Sequence, residues 1–137
     1  MTKLLAALAL LGFAACATPA AAQVDRSPGA MVGHWTGVIT EQGDIPQYTL
    51  SVHINLDRAG NPVGKVEYDA FPCAGVWNEG RRQGERWTLQ ETITENVDRC
   101  AVYVVITLYQ QSANSLEVSL APVGSDGPPS TGTLLRR

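Results

Sequence analysis

The segment Tyr48–Leu56 alternates apolar and polar side chains without interruption, and this pattern constrains the fold more than any other feature of the chain. Successive side chains of a β-strand point to opposite faces of the sheet, so the alternation predicts a strand with one buried and one solvated face. Turn-forming residues follow at 57–62, and Val63–Tyr68 alternates again. Together the two segments predict a β-hairpin.

Similar segments recur along the chain and predict about eight strands in total. Besides the two of the hairpin, they are Val32–Thr40, Cys73–Asn78, Arg86–Thr94, Cys100–Tyr109, Leu116–Leu120 and Thr131–Arg136. The polar segments between them, including 78–84, are short enough for hairpin connections, and none has helical periodicity. The fold class is therefore all-β. Short sequential connections favour an eight-stranded antiparallel up-and-down barrel over the alternative, a sandwich.

The first 22 residues have the features of a secretory signal peptide. Lys3 precedes an uncharged apolar run, Leu4–Ala15, and Thr18–Ala22 contains the small residues that a signal peptidase recognises. The run is about 12 residues long, whereas a membrane-spanning helix needs roughly 20. We therefore expect an exported protein, periplasmic or secreted, with a flexible segment at 23–31 and one barrel domain at 32–137.

A second cleavage position lies inside the same leader. Phe13-Ala14-Ala15-Cys16 resembles the lipobox that precedes the lipidated cysteine of bacterial lipoproteins. Cleavage before Cys16 is the alternative to cleavage after Ala22, and it would attach the protein to the outer membrane through a lipid. The sequence predicts contact with a membrane only in that case.

The domain contains two cysteines, Cys73 and Cys100. An even pair in an oxidising compartment predicts a disulfide, because thiols there are readily oxidised. The alternative is two buried free thiols. The bond would close a loop of about 28 residues, for which the loss of chain entropy corresponds to about 3.5 kcal/mol of stability.

Charge and motifs exclude several functional classes. The chain has 10 Lys and Arg against 13 Asp and Glu, so it lacks the concentrated positive charge with which proteins bind nucleic acids. It has no G-x-S-x-G sequence and no glycine-rich phosphate loop. The domain's histidines are His34 and His53, and His53 falls on the polar face of its strand. We expect a monomer with no catalytic activity, metal or cofactor.

The segment Gly33-His34-Trp35, at the start of the first predicted strand, resembles the G-x-W motif of lipocalin-type barrels. The resemblance implies a barrel in which Trp35 fills one closed end, and it extends to architecture but not to a ligand. The chain is also similar to small exported bacterial barrels that inhibit secreted alkaline metalloproteases. That similarity implies inhibition through the segment before the first strand, here Gln23–Ala30.

Alternation also predicts the barrel interior. The expected interior side chains are Trp35, Tyr48, Leu50, Val52, Ile54, Tyr68, Trp77, Trp87, Leu89, Val104, Ile106 and Leu108. So many large side chains predict a filled interior without a roomy lipid cavity.

Glu91 is the exception, because the alternation that directs Leu89 and Ile93 inward directs Glu91 inward as well. A buried carboxylate needs a partner: a hydrogen bond from Tyr68 or a Trp, an ion pair such as one with Arg99, or a place near the barrel mouth. Glu91, Tyr68 and Trp35 are the candidate contacts for a small ligand. The alternative is a structural carboxylate or an exposed rim position.

Arg81, Arg82 and Arg86 form the one basic cluster, and Glu79 and Glu85 lie beside it. The predicted hairpin tip presents these arginines either to solvent or to an acidic partner. We therefore expect an exported binding module that contacts a protein or a component of the cell envelope, as an inhibitor does. The alternative is a carrier of a small hydrophobic ligand, which requires an internal cavity faced by Glu91.

Overall fold

Eight antiparallel strands account for most of the chain that the computed structural model describes, which is residues 19–41, 47–100 and 103–137. They are β1 Gly33–Thr40, β2 Tyr48–Leu56, β3 Pro62–Tyr68, β4 Ala74–Gln83, β5 Arg86–Glu95, β6 Tyr103–Ser112, β7 Ser115–Pro122 and β8 Ser130–Arg136. Each strand pairs with the next, and β8 pairs with β1, so the sheet closes into a barrel. This closure confirms the predicted up-and-down barrel and excludes the alternative, a sandwich.

Two glycines allow the first and last strands to approach closely. Gly37 on β1 lies against the backbone of Thr133, and Gly132 on β8 lies against the backbone of Val38. A Cβ atom at either glycine would overlap a backbone oxygen of the other strand. Small residues on both sides of this seam therefore permit the pairing that closes the barrel.

The inward-facing side chains predicted from alternation form the core. All of them are buried except Tyr68, which is partly buried and packs against the others. Gly64 on β3 leaves room for these large side chains, because a Cβ there would lie 2.9 Å from Val52 and 3.6 Å from the Trp77 ring. The interior is thus filled along most of its length, as the large side chains predict.

The two ends of the barrel differ. At the closed end, a 3-10 helix, Pro28–Met31, precedes β1 and packs against β2 and β3, with Met31 fully buried. The opposite end, which we call the mouth, is where β3 ends at Tyr68 and β6 begins at Tyr103.

The segment 23–31, expected to be flexible, lies against the closed end in this structure. Arg26 donates a hydrogen bond to the backbone oxygen of Gln110 and another to the hydroxyl of Tyr109. It also pairs with Glu85 across 3.1 Å.

The disulfide joins Cys73 and Cys100, as predicted. Cys73 directly precedes β4 and Cys100 follows β5, so the bond lies at the mouth. The two Cα atoms are 6.6 Å apart. A disulfide of this kind is compatible with the oxidising environment of an exported protein.

The predicted connection at 78–84 is wrong, because β4 continues to Gln83 and the turn to β5 involves only Gly84 and Glu85. The pairing of β4 with β5 shifts register between Asn78 and Arg81. Glu79 has a φ of 54°, and Gly80 packs against Pro62. This β-bulge interrupts the alternation, so the sequence pattern ends before the strand does.

Most of the predicted leader, residues 1–18 with Cys16, lies outside the described residues, so its cleavage and lipidation stay predictions. Within the described residues, no helix has the length and hydrophobicity needed to cross a membrane.

Candidate functional site

A cavity of about 280 Å³ lies inside the mouth of the barrel. Its lining is mostly apolar, with carboxyl, hydroxyl and guanidinium groups at a few positions. The lining residues are Glu41, Tyr48, Tyr68, Phe71, Cys73, Glu91, Ile93, Arg99, Cys100, Val104, Leu120, Pro122 and Ser130. We call this space the mouth cavity.

Glu91 faces the barrel interior because it shares the inward register of β5 with Leu89 and Ile93. Only 1% of its surface is exposed. The neighbouring strand makes room for it: a Cβ at Gly75 on β4 would lie 3.4 Å from the Glu91 carboxyl and 2.8 Å from the backbone oxygen of Thr92. The inward glycine of β4 therefore leaves space for the carboxyl of β5.

The partner of Glu91 is Tyr68, whose hydroxyl donates a hydrogen bond of 2.5 Å to Oε1. This is one of the partners that the sequence allowed. Arg99, another of them, lines the same cavity, but the ion pairs among the described residues do not include one with Glu91.

Burial raises the pKa of Glu91 above its usual value, because removal from water penalises the charged form. The Tyr68 hydroxyl and the indole N–H of Trp77 oppose this rise. The Trp77 N–H makes no hydrogen bond with good geometry, so its effect on the pKa is that of a nearby dipole. Burial therefore shifts this carboxyl toward the protonated form relative to an exposed glutamate.

Three aromatic rings line the cavity with this carboxyl. The Tyr48 and Tyr68 rings have centroids 5.7 Å apart at 67°, and the Tyr48 and Phe71 rings have centroids 5.4 Å apart at 69°. Burial raises the pKa of both tyrosines, the Glu91 carboxyl adds to both rises, and the Glu41 carboxyl adds to that of Tyr48. Both phenols therefore stay protonated and remain hydrogen-bond donors near neutral pH.

The structure does not bring Trp35 to this cavity, so its candidate role as a ligand contact is corrected. Trp35 is fully buried at the closed end, where its indole N–H donates to the Met31 oxygen across 2.7 Å. The guanidinium of Arg136 lies 4.2 Å from the centre of its ring. Alternation predicts that a side chain points inward, but it does not predict which end of the barrel that side chain reaches. The position of the residue along β1 determines the end.

The arginines of the predicted basic cluster are all exposed and lie beside the turn of the β4–β5 hairpin. Arg81 and Arg82 lie on the last part of β4, and Arg82 donates to the Gly84 oxygen. Arg86 begins β5, pairs with Glu117 across 3.1 Å and lies over the Tyr109 ring. Arg81 and Arg82 therefore lie on a strand that continues past the bulge, and not in the longer loop that the sequence predicts.

Sequence reasoning did not single out Phe71, and it named Arg99 only as a possible ion-pair partner of Glu91. Both lie outside the strands, where no alternation predicts direction. His34 and His53 lie on the outer face with their rings stacked 4.0 Å apart, and His53 is exposed as predicted. Among the described residues, no group of three or more His, Cys, Asp or Glu side chains is arranged to hold a metal ion.

No protein-family model matches the sequence, and no curated protein has significant similarity to it. Solved structures with a similar fold include a redesigned β-barrel with a TM-score of 0.64 and 19% identity, covering 82% of this chain and 96% of that one. Another is a de novo designed fluorescence-activating β-barrel with a TM-score of 0.57 and 16% identity, covering 83% and 100%. These similarities support the barrel fold alone.

Proposed function

We propose that the protein is a non-catalytic carrier that binds a small, largely apolar ligand in the mouth cavity. One observation carries this proposal: the cavity is faced by the buried carboxyl of Glu91 and its partner Tyr68. Of the two functions expected from the sequence, the carrier is the one that requires such a cavity.

The size and lining of the cavity support this function. An apolar cavity of about 150 Å³ is large enough to bind benzene, so a cavity of about 280 Å³ has room for a larger ring system. Ile93, Val104 and Leu120 supply apolar surface, and Glu91 and Tyr68 supply polar groups that would orient the ligand. The filled closed end limits the ligand to the mouth.

The location expected for such a carrier is outside the cytoplasm. The predicted signal peptide and the Cys73–Cys100 disulfide both support export to the periplasm or the medium. The closed barrel and the position of Trp35 at its filled end support a lipocalin-like assignment.

The test uses indole, a small neutral probe, and follows the methyl NMR signals of Leu120, which lines the cavity and is retained in every variant. We expect saturable shifts in the wild-type protein. Val104→Trp fills the cavity from β6 and should abolish them, whereas Val105→Trp places the same ring on the exposed face of that strand and should preserve them. Absence of saturable binding to the wild type, or equal binding by both variants, would contradict the carrier function.

Binding to a protein or envelope component through the surface is the second candidate. Arg81 and Arg82 support it, because both are exposed and neither forms an ion pair among the described residues. The Arg26 contacts argue against an inhibitory arm at 23–30, because they hold that segment on the barrel. If this candidate is right, Arg81→Ala combined with Arg82→Ala should abolish co-purification of a partner from the producing cell, with Arg58→Ala as the exposed control.

A further inference from the structure

We propose that the ligand of the mouth cavity carries a protonated amine, which binds between the Glu91 carboxylate and the aromatic rings of Tyr48, Tyr68 and Phe71. This inference rests on the proposed carrier function and names the chemical class of the ligand.

The arrangement of the rings supports a cation. Tyr48 packs edge to face with both Tyr68 and Phe71, and all three rings line the cavity. Aromatic rings attract cations through their electron-rich faces, and several rings around one site bind ammonium groups in many proteins. A purely apolar ligand would gain nothing from this electrostatic property.

The charges of the lining also favour a cation. The cavity is lined by two carboxyl groups, those of Glu41 and Glu91, and by one guanidinium, that of Arg99. Arg99 is exposed, so water screens its charge, whereas Glu91 is buried, where electrostatic interactions are stronger. An anionic ligand would have to lie beside the buried carboxyl.

Glu91 has a hydrogen-bond partner but no counter-ion among the described residues. The titratable groups that surround it in the cavity are the Tyr68 phenol on β3, the Tyr48 phenol on β2, Glu41 after β1 and Arg99 after β5. An ammonium group in the cavity would supply the missing positive charge. The ionised carboxylate of Glu91 would then accept a charge-assisted hydrogen bond from this ammonium group, stronger than one between neutral groups.

The test compares two probes that share a skeleton, tryptamine and tryptophol, which carry an amine and a hydroxyl on the same indole side chain. Calorimetry of the wild-type protein at neutral pH should give about 10-fold or more tighter binding of tryptamine. Glu91→Gln should remove most of this preference while still binding tryptophol. Glu95→Gln, which changes an exposed glutamate on the same strand, should bind both probes as the wild type does.

The outcomes separate the two proposals. Equal or tighter binding of tryptophol by the wild-type protein would overturn the amine inference and leave the carrier function standing. Failure of the wild type to bind either probe would overturn both. Binding of tryptophol by Glu91→Gln also reports that the variant is folded, so a lost preference for tryptamine is not a loss of the barrel.

Discussion

The hydroxyl of Tyr68 reaches across β4 to the carboxyl of Glu91, so one hydrogen bond links β3 to β5 over the strand between them. The path is open because the inward residue of β4 at this level is Gly75, which pairs with Val66 on one side and Ile93 on the other. A side chain at Gly75 would occupy the space beside the carboxyl. The polar pair and the glycine therefore form one structural unit at the floor of the mouth cavity.

The effect of replacing Glu91 on stability should depend on whether the new side chain still has an oxygen that accepts the hydrogen bond from Tyr68. Glu91→Gln keeps a carbonyl oxygen for the Tyr68 hydroxyl, whereas Glu91→Leu leaves that hydroxyl without its partner, which costs about 1–3 kcal/mol when the group is buried. We expect Glu91→Leu to be the less stable variant in urea unfolding. Equal stability of the two variants would show that the hydrogen bond does not contribute.

The pH dependence of stability should also change in Glu91→Gln. The raised pKa of Glu91 means that, above the ordinary value of 4.5, the folded protein holds a proton that the unfolded chain has released. The free energy of unfolding therefore decreases as the pH rises from this ordinary value through the folded pKa. Glu91→Gln lacks this contribution, so its stability relative to the wild type should increase over the same window.

The comparison between the two proteins isolates Glu91 from other groups. Asp25, Asp57 and Asp69 have lowered pKa values through hydrogen bonds to the backbone, and their effect on the pH dependence has the opposite sign. They are present in both proteins and cancel in the difference. Parallel curves of unfolding free energy against pH would contradict the prediction.

Loss of the disulfide should destabilise the barrel. Cys73→Ala frees the loop to Cys100 in the unfolded state, and removal of a native disulfide costs about 2–5 kcal/mol. Unfolding in guanidinium under oxidising conditions measures the change. A reducing agent should lower the midpoint of the wild type toward that of Cys73→Ala combined with Cys100→Ala, and it should leave the double variant unaffected. An unchanged midpoint in Cys73→Ala would refute this prediction.

Arg136 should be important for the closed end, whereas its neighbour Arg137 should not. The Arg136 guanidinium donates to the backbone oxygens of Val32, Ala30 and Ala113 at 2.7, 2.6 and 3.0 Å, and it packs on Trp35. Arg136→Ala leaves these acceptors without a charged donor and should cost about 2–4 kcal/mol. The exposed Arg137 side chain provides the matched control, so Arg137→Ala should change the thermal midpoint little.

The contacts of Tyr109 should control the opening of the N-terminal segment. Its ring lies 4.9 Å from the Arg26 guanidinium and 4.8 Å from that of Arg86, and its hydroxyl accepts a hydrogen bond from Arg26. Tyr109→Phe removes the hydroxyl, and Tyr109→Leu also removes the ring. Amide hydrogen exchange at Ala30 and Val32 should accelerate slightly in the first variant and more in the second. Equal exchange in all three proteins would argue against this prediction.

Alternation in the sequence was sufficient to predict the barrel and its core. The bounds of β2 agree with the pattern, and burial alternates along the strand until Leu56, which is exposed at its end. The pattern fails at Glu79, where a positive φ and a bulge allow β4 to continue without alternating. A backbone irregularity of this kind leaves no periodic signal in the side chains.

The candidate site was predictable only in part. The register of β5 directs Glu91 inward, but the choice between Tyr68 and Arg99 as its partner depends on which side chains the closed sheet brings together. Phe71 belongs to the connection between β3 and β4, and the sequence of a connection does not predict which way its side chains point. Trp35 has the correct inward orientation and lies at the other end of the barrel.

The attachment of Arg26 has a practical consequence for handling the protein. Arg26 binds near the turn between β4 and β5 and near the end of β6, so the preceding chain leaves the barrel at the end opposite the cavity. A dye, a bead or a biosensor surface coupled to Gln23 would therefore sit behind the barrel and leave the entrance unobstructed. Coupling through Ser125 or Asp126, which follow β7 at the mouth, would place the same label beside the entrance.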